Sequence, residues 1–471
     1  MKKLLSWFNK KNSTYLLIFF LLFFTLWFFV WMYKNFGRTN LEEIAIILQI
    51  GLKGTDAGLF WSFIKKVILR SLMWAAIVTI FFNLIHKYKW LKLLSFIILF
   101  VLIIYNGYKA NIQLGSLLQT TTSNFYEKEY VFPEKAEIKF TRKRNVLVLV
   151  LESMEKTYAN KELFNQENLI PKITKIEKNN VSFNKYNSIS GLSHTIAAIT
   201  GITTGLPLFY TSYKNIEKML GAKGIGTIFK NNGYSTWALF PASGQFSLKT
   251  NFLTRMGFDN IYDGEAFRTM LKHELKEYPF DGVDDGNLFE LSKPIIENII
   301  KQDQPYFIMM ETINTHCKGY YTQACLDLGF QQESMEDIIK CEDTLIYDFV
   351  TWFQKIDPSA VIILVNDHTQ HTGLIMEKLK TKKDRNLNNA FINTNIFNYN
   401  YSKRKISALD FFPTIIEAAG GQIKHCKLGL GVSLSSRCKN IKTLRERYSD
   451  KILEDKMEQK NELYYKLATG I

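Results

Sequence analysis

Three runs of apolar residues end in groups that can bind a cation or move a proton. NVLVLVL (Asn145 to Leu151) is followed by Glu152, and AVIILV (Ala360 to Val365) by Asn366, Asp367 and His368. YFIMME (Tyr306 to Glu311) leads to Thr312, Asn314, Thr315 and His316. A carboxylate from one run with an Asp-His pair from another supplies oxygen ligands and one imidazole, a set suited to Mn2+ or Zn2+. Each residue also has a plainer reading: Glu152 could cap a helix begun by Ser153, and Asp367 could cap a turn.

The runs themselves say what must position these groups. Continuous Val, Ile and Leu without alternation marks strands buried on both faces, as in a parallel sheet. Between them, Glu336 to Lys355 places Ile338, Ile339, Leu345, Ile346, Phe349, Val350 and Phe353 at helical spacing. Strands alternating with helices imply an α/β sandwich with a mostly parallel sheet. In such folds the working groups gather at the carboxyl ends of the strands, where the acids and histidines stand here.

The first hundred residues are of another kind. Tyr15 to Met32 carries no charge and can cross a bilayer, which takes roughly 20 residues. It closes on Trp31, Met32 and Tyr33 and not on a small-residue cleavage site, which argues for a retained span. A second span is expected over Val67 to Ile85, with Arg70 snorkelling toward the interface, and a third over Trp90 to Tyr108. Lys2, Lys3, Lys10 and Lys11 before the first span, and His86, Lys87, Lys89 and Lys92 before the third, belong inside by the positive-inside rule. The N-terminus is then cytoplasmic and everything after about Gly115 lies outside. The expected organisation is a membrane domain over 1–115, a linker over 116–144, a catalytic domain over 145–439 and a charged C-terminal helix or tail over 440–471.

A net charge of +15 with no Lys/Arg block argues against nucleic acid and, beside the apolar helices, for an anionic lipid surface or substrate. All five cysteines (Cys317, Cys325, Cys341, Cys426, Cys438) fall in the external part. An oxidising compartment would permit Cys325 with Cys341 and Cys426 with Cys438, leaving Cys317; buried reduced thiols are the alternative.

Several segments in order resemble the sulfatase-like branch of the alkaline phosphatase superfamily, specifically the phosphoglycerol transferases of the periplasmic-glucan type and, more distantly, lipoteichoic acid synthases. They are VLVLVLESMEKTY (from Val146), GLSHTIAAITGITTGLPL (from Gly191), IFKNNGYSTWALFPASGQFSLKTNFLTRMGFDNIYDG (from Ile228), INTHCKGYYTQAC (from Ile313), VIILVNDHTQH (from Val361) and ALDFFPTIIEAAGG (from Ala408). The loop GLKGTDAGLFWSFIKKVI (Gly51 to Ile68) is similar to one ahead of a span in the periplasmic-glucan enzymes. The resemblance implies an alkaline-phosphatase/sulfatase-like α/β/α domain, with Glu152, Asp367, His368 and a nucleophilic threonine as metal ligands. Thr195 is the threonine expected; the family's earlier position holds Leu192, and Ser193 is the alternative. His316 would bind phosphate oxygen or protonate a leaving group. Lys249, Asp281, Asp284 and Asp285 are weaker candidates for substrate contact, with Phe280 where relatives have Trp, and His371 could support the metal ligands from outside.

The activity so implied is transfer of phosphoglycerol from phosphatidylglycerol to an extracytoplasmic glycan or polymer. Thr195 would attack the lipid phosphodiester, diacylglycerol would depart, and a phospho-threonine carrying the head group would pass it to an acceptor hydroxyl. Phosphoethanolamine transfer to lipid A or a glycan is the near neighbour. A catalytically inactive lipid-binding sensor is the non-enzymatic alternative. A free sulfatase fits less well, since GLSHTIAA is not the C/S-x-P-S-R setting such enzymes use.

Overall fold

The computed structural model describes residues 10–36, 61–109, 123–209 and 221–470, apart from positions 86, 277, 317, 318, 372, 374, 383, 399, 400 and 402. The chain divides into two compact units, one of Met1–Leu117 with His371–Gly373 and one of Leu118–Gln370 with Leu374–Ile471. Cys317 and most of the loop from Gly51 lie outside the described residues.

The first unit holds three helices, α1 (Lys10–Phe36), α2 (Trp61–Leu84) and α3 (Lys89–Lys109), each long and apolar enough to cross a membrane. The second span begins earlier than Val67 because a π-helical segment, Ile64–Leu69, carries the helix through Lys65 and Lys66. Arg70 lies over the Trp27 ring, 4.7 Å from its centroid, so its charge is met by an aromatic face. Phe19 packs against Phe82 at 4.7 Å and Phe96 at 5.3 Å, joining the three helices. Asn83 Nδ2 donates to Asn12 Oδ1 at 3.0 Å.

The second unit is built on a six-stranded sheet of β1 (Val146–Leu151), β2 (Ser235–Leu239), β3 (Asn260–Tyr262), β4 (Tyr306–Glu311), β5 (Val361–Asn366) and β6 (Asn389–Ile392). The spatial order is β3-β2-β4-β1-β5-β6, with every pairing parallel except the edge pair β5-β6. The central strands β1, β4 and β5 are buried along their whole length, which is why they read as unbroken apolar runs. Their register aligns Leu151 with Asn366 and Val150 with Glu311, so Glu152, Thr312 and Asp367 emerge side by side.

Helices α4 (Thr195–Thr204), α5 (Asp285–Ile300), α6 (Met335–Ile356) and α7 (Phe411–Ala418) belong to this unit. α6 buries Ile339, Ile346, Phe349, Val350 and Phe353 in the core formed with β1, β4 and β5. Each such side chain contributes about 1.5–3 kcal/mol by leaving water. Cys325–Cys341 and Cys426–Cys438 are disulfide-bonded.

Two segments outside the expected catalytic limits are built into this unit. Within the expected linker, Ile138–Phe140 pairs antiparallel with Gly421–Ile423, and Tyr126, wholly buried, donates its hydroxyl to Met457 O at 2.9 Å. The C-terminal helices α8 (Asp450–Glu458) and α9 (Glu462–Thr469) bury Leu453, Met457, Tyr464 and Leu467. They are thus packed elements and not a solvated tail.

Candidate active site

Glu152, Asp367 and His368 are buried at the carboxyl ends of β1 and β5, and one ligand atom from each lies within 4.8 Å of the others. His368 Nε2 stands 3.5 Å from Glu152 Oε1 and 3.3 Å from Asp367 Oδ2. Thr195, the first residue of α4, completes the group: its Oγ1 donates to Glu152 Oε2 at 3.0 Å and lies 3.3 Å from His368 Nε2.

Each ligand is held from behind. Asp367 Oδ1 accepts from the backbone N–H of Ser153 at 2.9 Å and of His368 at 2.6 Å, and from Asn366 Nδ2 at 3.2 Å. Glu152 donates its own N–H to Thr312 Oγ1 at 3.0 Å, while its carbonyl accepts from Thr315 Oγ1. His368 Nδ1 lies 2.9 Å from the carbonyl of Thr369. A proton on Nδ1 would be accepted there, and with a cation in place Nε2 would then face the carboxylates as the ligand atom.

These atoms fit a divalent cation. Asp367 Oδ2 is buried and accepts no hydrogen bond, although His368 Nε2 is 3.3 Å away. Ligands about 2.0–2.2 Å from a common Zn2+ in a tetrahedral array stand about 3.4 Å apart, and the Thr195–Glu152, Thr195–His368, Glu152–His368 and Asp367–His368 approaches are 3.0, 3.3, 3.5 and 3.3 Å. Burial first, and the neighbouring Glu152 charge next, push the Asp367 carboxyl up to about 7. Burial also works against ionising Glu152, but His368 and His316 outweigh it and hold that carboxyl below its ordinary range. Two buried acids of opposite displacement are what a site short of positive charge produces.

Among the other predicted residues, His316 follows β4 and meets Phe280 edge to face at 4.7 Å between ring centres. Its charge acts on Glu152. Lys249 is buried, with Nζ 2.6 and 2.7 Å from the two oxygens of Glu311, so its charge neutralises that carboxylate and is not presented to an open site. Asp284 and Asp285 are both engaged within the fold. Asp284 caps α5, accepting from Asn287 N at 3.1 Å, and Asp285, with no exposed surface, accepts from the N–H groups of Ile313 and Asn314 at 2.9 and 2.6 Å. Asp281 is exposed in a turn, and its carbonyl accepts from Arg268. His371 is half-buried and falls outside the unit that carries the centre. Leu192 is buried in the core, so its place in the motif is a packing position, and half-buried Ser193 lies in the turn before α4.

Three features had no signal in the sequence. Glu155, with no exposed surface, takes Arg385 Nε at 2.8 Å and the N–H of Gln370 at 3.3 Å, joining the segments after β1 and β5 across 230 residues. Positive φ recurs around the site at Ser153 (49°), Ser247 (57°), Leu248 (53°), Phe280 (45°) and Asp281 (58°). Such backbone costs on the order of 1–3 kcal/mol per residue and gathers where a site needs it. The third is the C-terminal support of the threonine turn, where Glu454 Oε1 accepts from Ser190 N at 2.9 Å and Glu458 accepts from the Ser190 hydroxyl.

Comparison with known proteins places this geometry. Phosphoglycerol transferase I of Xanthomonas campestris pv. campestris is 25% identical over 322 residues, 65% of this chain and 44% of its own. The chain spans less than half the length of such curated relatives. A crystal structure of an alkaline phosphatase superfamily protein from Vibrio parahaemolyticus superposes with TM-score 0.50 at 18% identity, covering 63% of this chain and 70% of that one. Lipooligosaccharide phosphoethanolamine transferase A from Neisseria meningitidis, an integral membrane protein, gives TM-score 0.50 at 12% identity over 81% of this chain and 79% of its own. Residues 144–421, more than half the chain, match the Sulfatase family, and the protein belongs to it.

Proposed function

We propose that this protein is a metal-dependent phosphotransferase that moves phosphoglycerol from phosphatidylglycerol to an extracytoplasmic glycan or polymer through a covalent phospho-threonine at Thr195. The observation that carries the chemistry is the approach of Thr195 Oγ1 to Glu152 and His368 beside the unsatisfied Asp367 Oδ2. The head group is taken from the relatives named phosphoglycerol transferase I.

Glu152, Asp367, His368 and Thr195 would hold the divalent cation, Mn2+ or Zn2+, whose bound charge favours an ionised hydroxyl and offsets the phosphate. Thr195 sits at the amino end of α4, where the helix dipole also favours negative charge on Oγ1. Its proton has a path to Glu152 Oε2, already its hydrogen-bond acceptor. The Oγ1–P bond forms as the bond from phosphorus to the diacylglycerol oxygen breaks, and His316 protonates that leaving oxygen. An acceptor hydroxyl then attacks phosphorus and releases Oγ1. The three apolar helices anchor the protein in the cytoplasmic membrane, and two disulfides in the catalytic unit accord with an extracytoplasmic site.

Turnover of labelled phosphatidylglycerol by wild type, Thr195→Ala and Ser193→Ala tests this. Loss in the Thr195 variant alone is expected. Loss in the Ser193 variant alone would move the nucleophile, and consumption of phosphatidylethanolamine in its place would change the donor.

A further inference from the structure

We propose that the opposite end of the sheet carries a second binding site, for a soluble phosphate-bearing glycan or polyol chain. A cleft of about 600 Å³ lies there, walled by the segment before β1, the end of the helix Pro171–Asn179 and the segment after β6. Arg144 stands two residues ahead of β1, and Glu152 follows its last residue. Six strand residues at about 3.3 Å each separate this cleft from the catalytic carboxylates by roughly 20 Å. None of its lining residues belongs to the candidate active site.

The chemistry of the walls selects the ligand. Arg142, Arg144 and Lys178 contribute three positive charges, and among the described residues no acidic side chain lines the cleft and none of the three makes an ion pair. Burial first, and the Arg142 guanidinium next, draw the Arg144 pKa down against the opposing pull of the Asp357 carboxylate, and Arg144 Nη2 donates to Ser359 O at 2.8 Å. Among the described residues, the amides of Asn179 and Asn395, both at exposed positions, have no protein partner, and Thr394 Oγ1 is buried without one. Unused amides and a hydroxyl beside guanidinium groups suit a phosphodiester flanked by polyol hydroxyls. Tyr401 in the wall is fixed by ring contacts with Phe183 at 5.3 Å and Phe397 at 6.4 Å between centres. A bilayer carrying the same head group would meet a flat basic field with apolar side chains standing out, whereas this site is recessed and polar.

The full chain in neutral detergent with EDTA is titrated with a fluorescent, water-soluble poly(glycerol phosphate) oligomer, a neutral oligosaccharide of similar length and phosphatidylglycerol vesicles. Arg142→Glu with Lys178→Glu, both at exposed positions, is expected to weaken oligomer binding about tenfold or more. Thr195→Ala is expected to leave it unchanged, whether or not the catalytic reading holds. A coincident melting transition shows that the double variant is folded. Equal binding by wild type and double variant, equal binding of the neutral oligosaccharide, or a charge-reversal effect seen with vesicles alone would overturn the proposal.

Discussion

Asp367 has one oxygen held by three donors and the other buried with none. A buried carboxylate oxygen without a partner costs on the order of 1–3 kcal/mol, and a cation is the simplest means of recovering it. Asp367→Asn is therefore expected to weaken Mn2+ or Zn2+ binding at least about 100-fold by calorimetry, with little loss of thermal stability in chelator. A second acid pair, Asp285 with Glu342, has a different purpose. Both are wholly buried, Asp285 holds the N–H groups of Ile313 and Asn314, and Asn314 Nδ2 donates to Glu342 Oε2 at 3.3 Å. Burial raises both, Asp285 to about 7 and Glu342 well above the ordinary carboxyl range, so the pair holds a proton toward neutral pH and braces the loop that carries His316. The folded protein then binds more protons than the unfolded one between about pH 4 and 7. The stabilisation from this pair is full below about pH 4 and is lost as pH rises through 7. Glu342→Gln, whose amide replaces the shared proton, is expected to flatten the fall of melting temperature between about pH 4 and 7.

Among the elements, the central strands were legible because burial on both faces leaves an unbroken apolar run, and the residue after each run had to stand at the carboxyl edge. β2, β3 and β6 were not, since STWAL, NIY and NAFI are short and mix polar with apolar residues. Glu155 with Arg385, and Ser190 with Glu454, are pairs separated by 230 and 264 residues, which no local pattern encodes. The same limit hid the structural part played by Asp284 and Asp285, since the helix one caps and the loop the other holds are not visible in a local acidic cluster. The C-terminal segment read as a charged helix or tail, and Leu453 and Met457 are the buried residues by which α8 packs. Removing Glu454 should then disturb chemistry and not metal binding. Glu454→Ala is expected to lower turnover several-fold while the calorimetric affinity for Mn2+ stays within about twofold. An equal loss of both would show that α8 supports the whole centre.

For the whole molecule, the three apolar helices beside a Sulfatase-family unit are what favours, within the proposed function, a donor held in a membrane. Closing the loop between Cys325 and Cys341, 16 residues apart, stabilises by about 3 kcal/mol in the chain-entropy description. Replacing both by Ser is expected to lower the unfolding free energy of the catalytic unit by about that amount, and expression in a reducing compartment should do the same to the wild type. The central claim is a phosphoglycerol group on Thr195. The most direct test is peptide mass spectrometry of the protein after incubation with phosphatidylglycerol and Mn2+, quenched before an acceptor is added. A phosphoglycerol adduct on the peptide containing Thr195, absent from Asp367→Asn, is the predicted result; an adduct on Ser193, a phosphoethanolamine adduct from mixed lipid, or release of diacylglycerol with no adduct would contradict it.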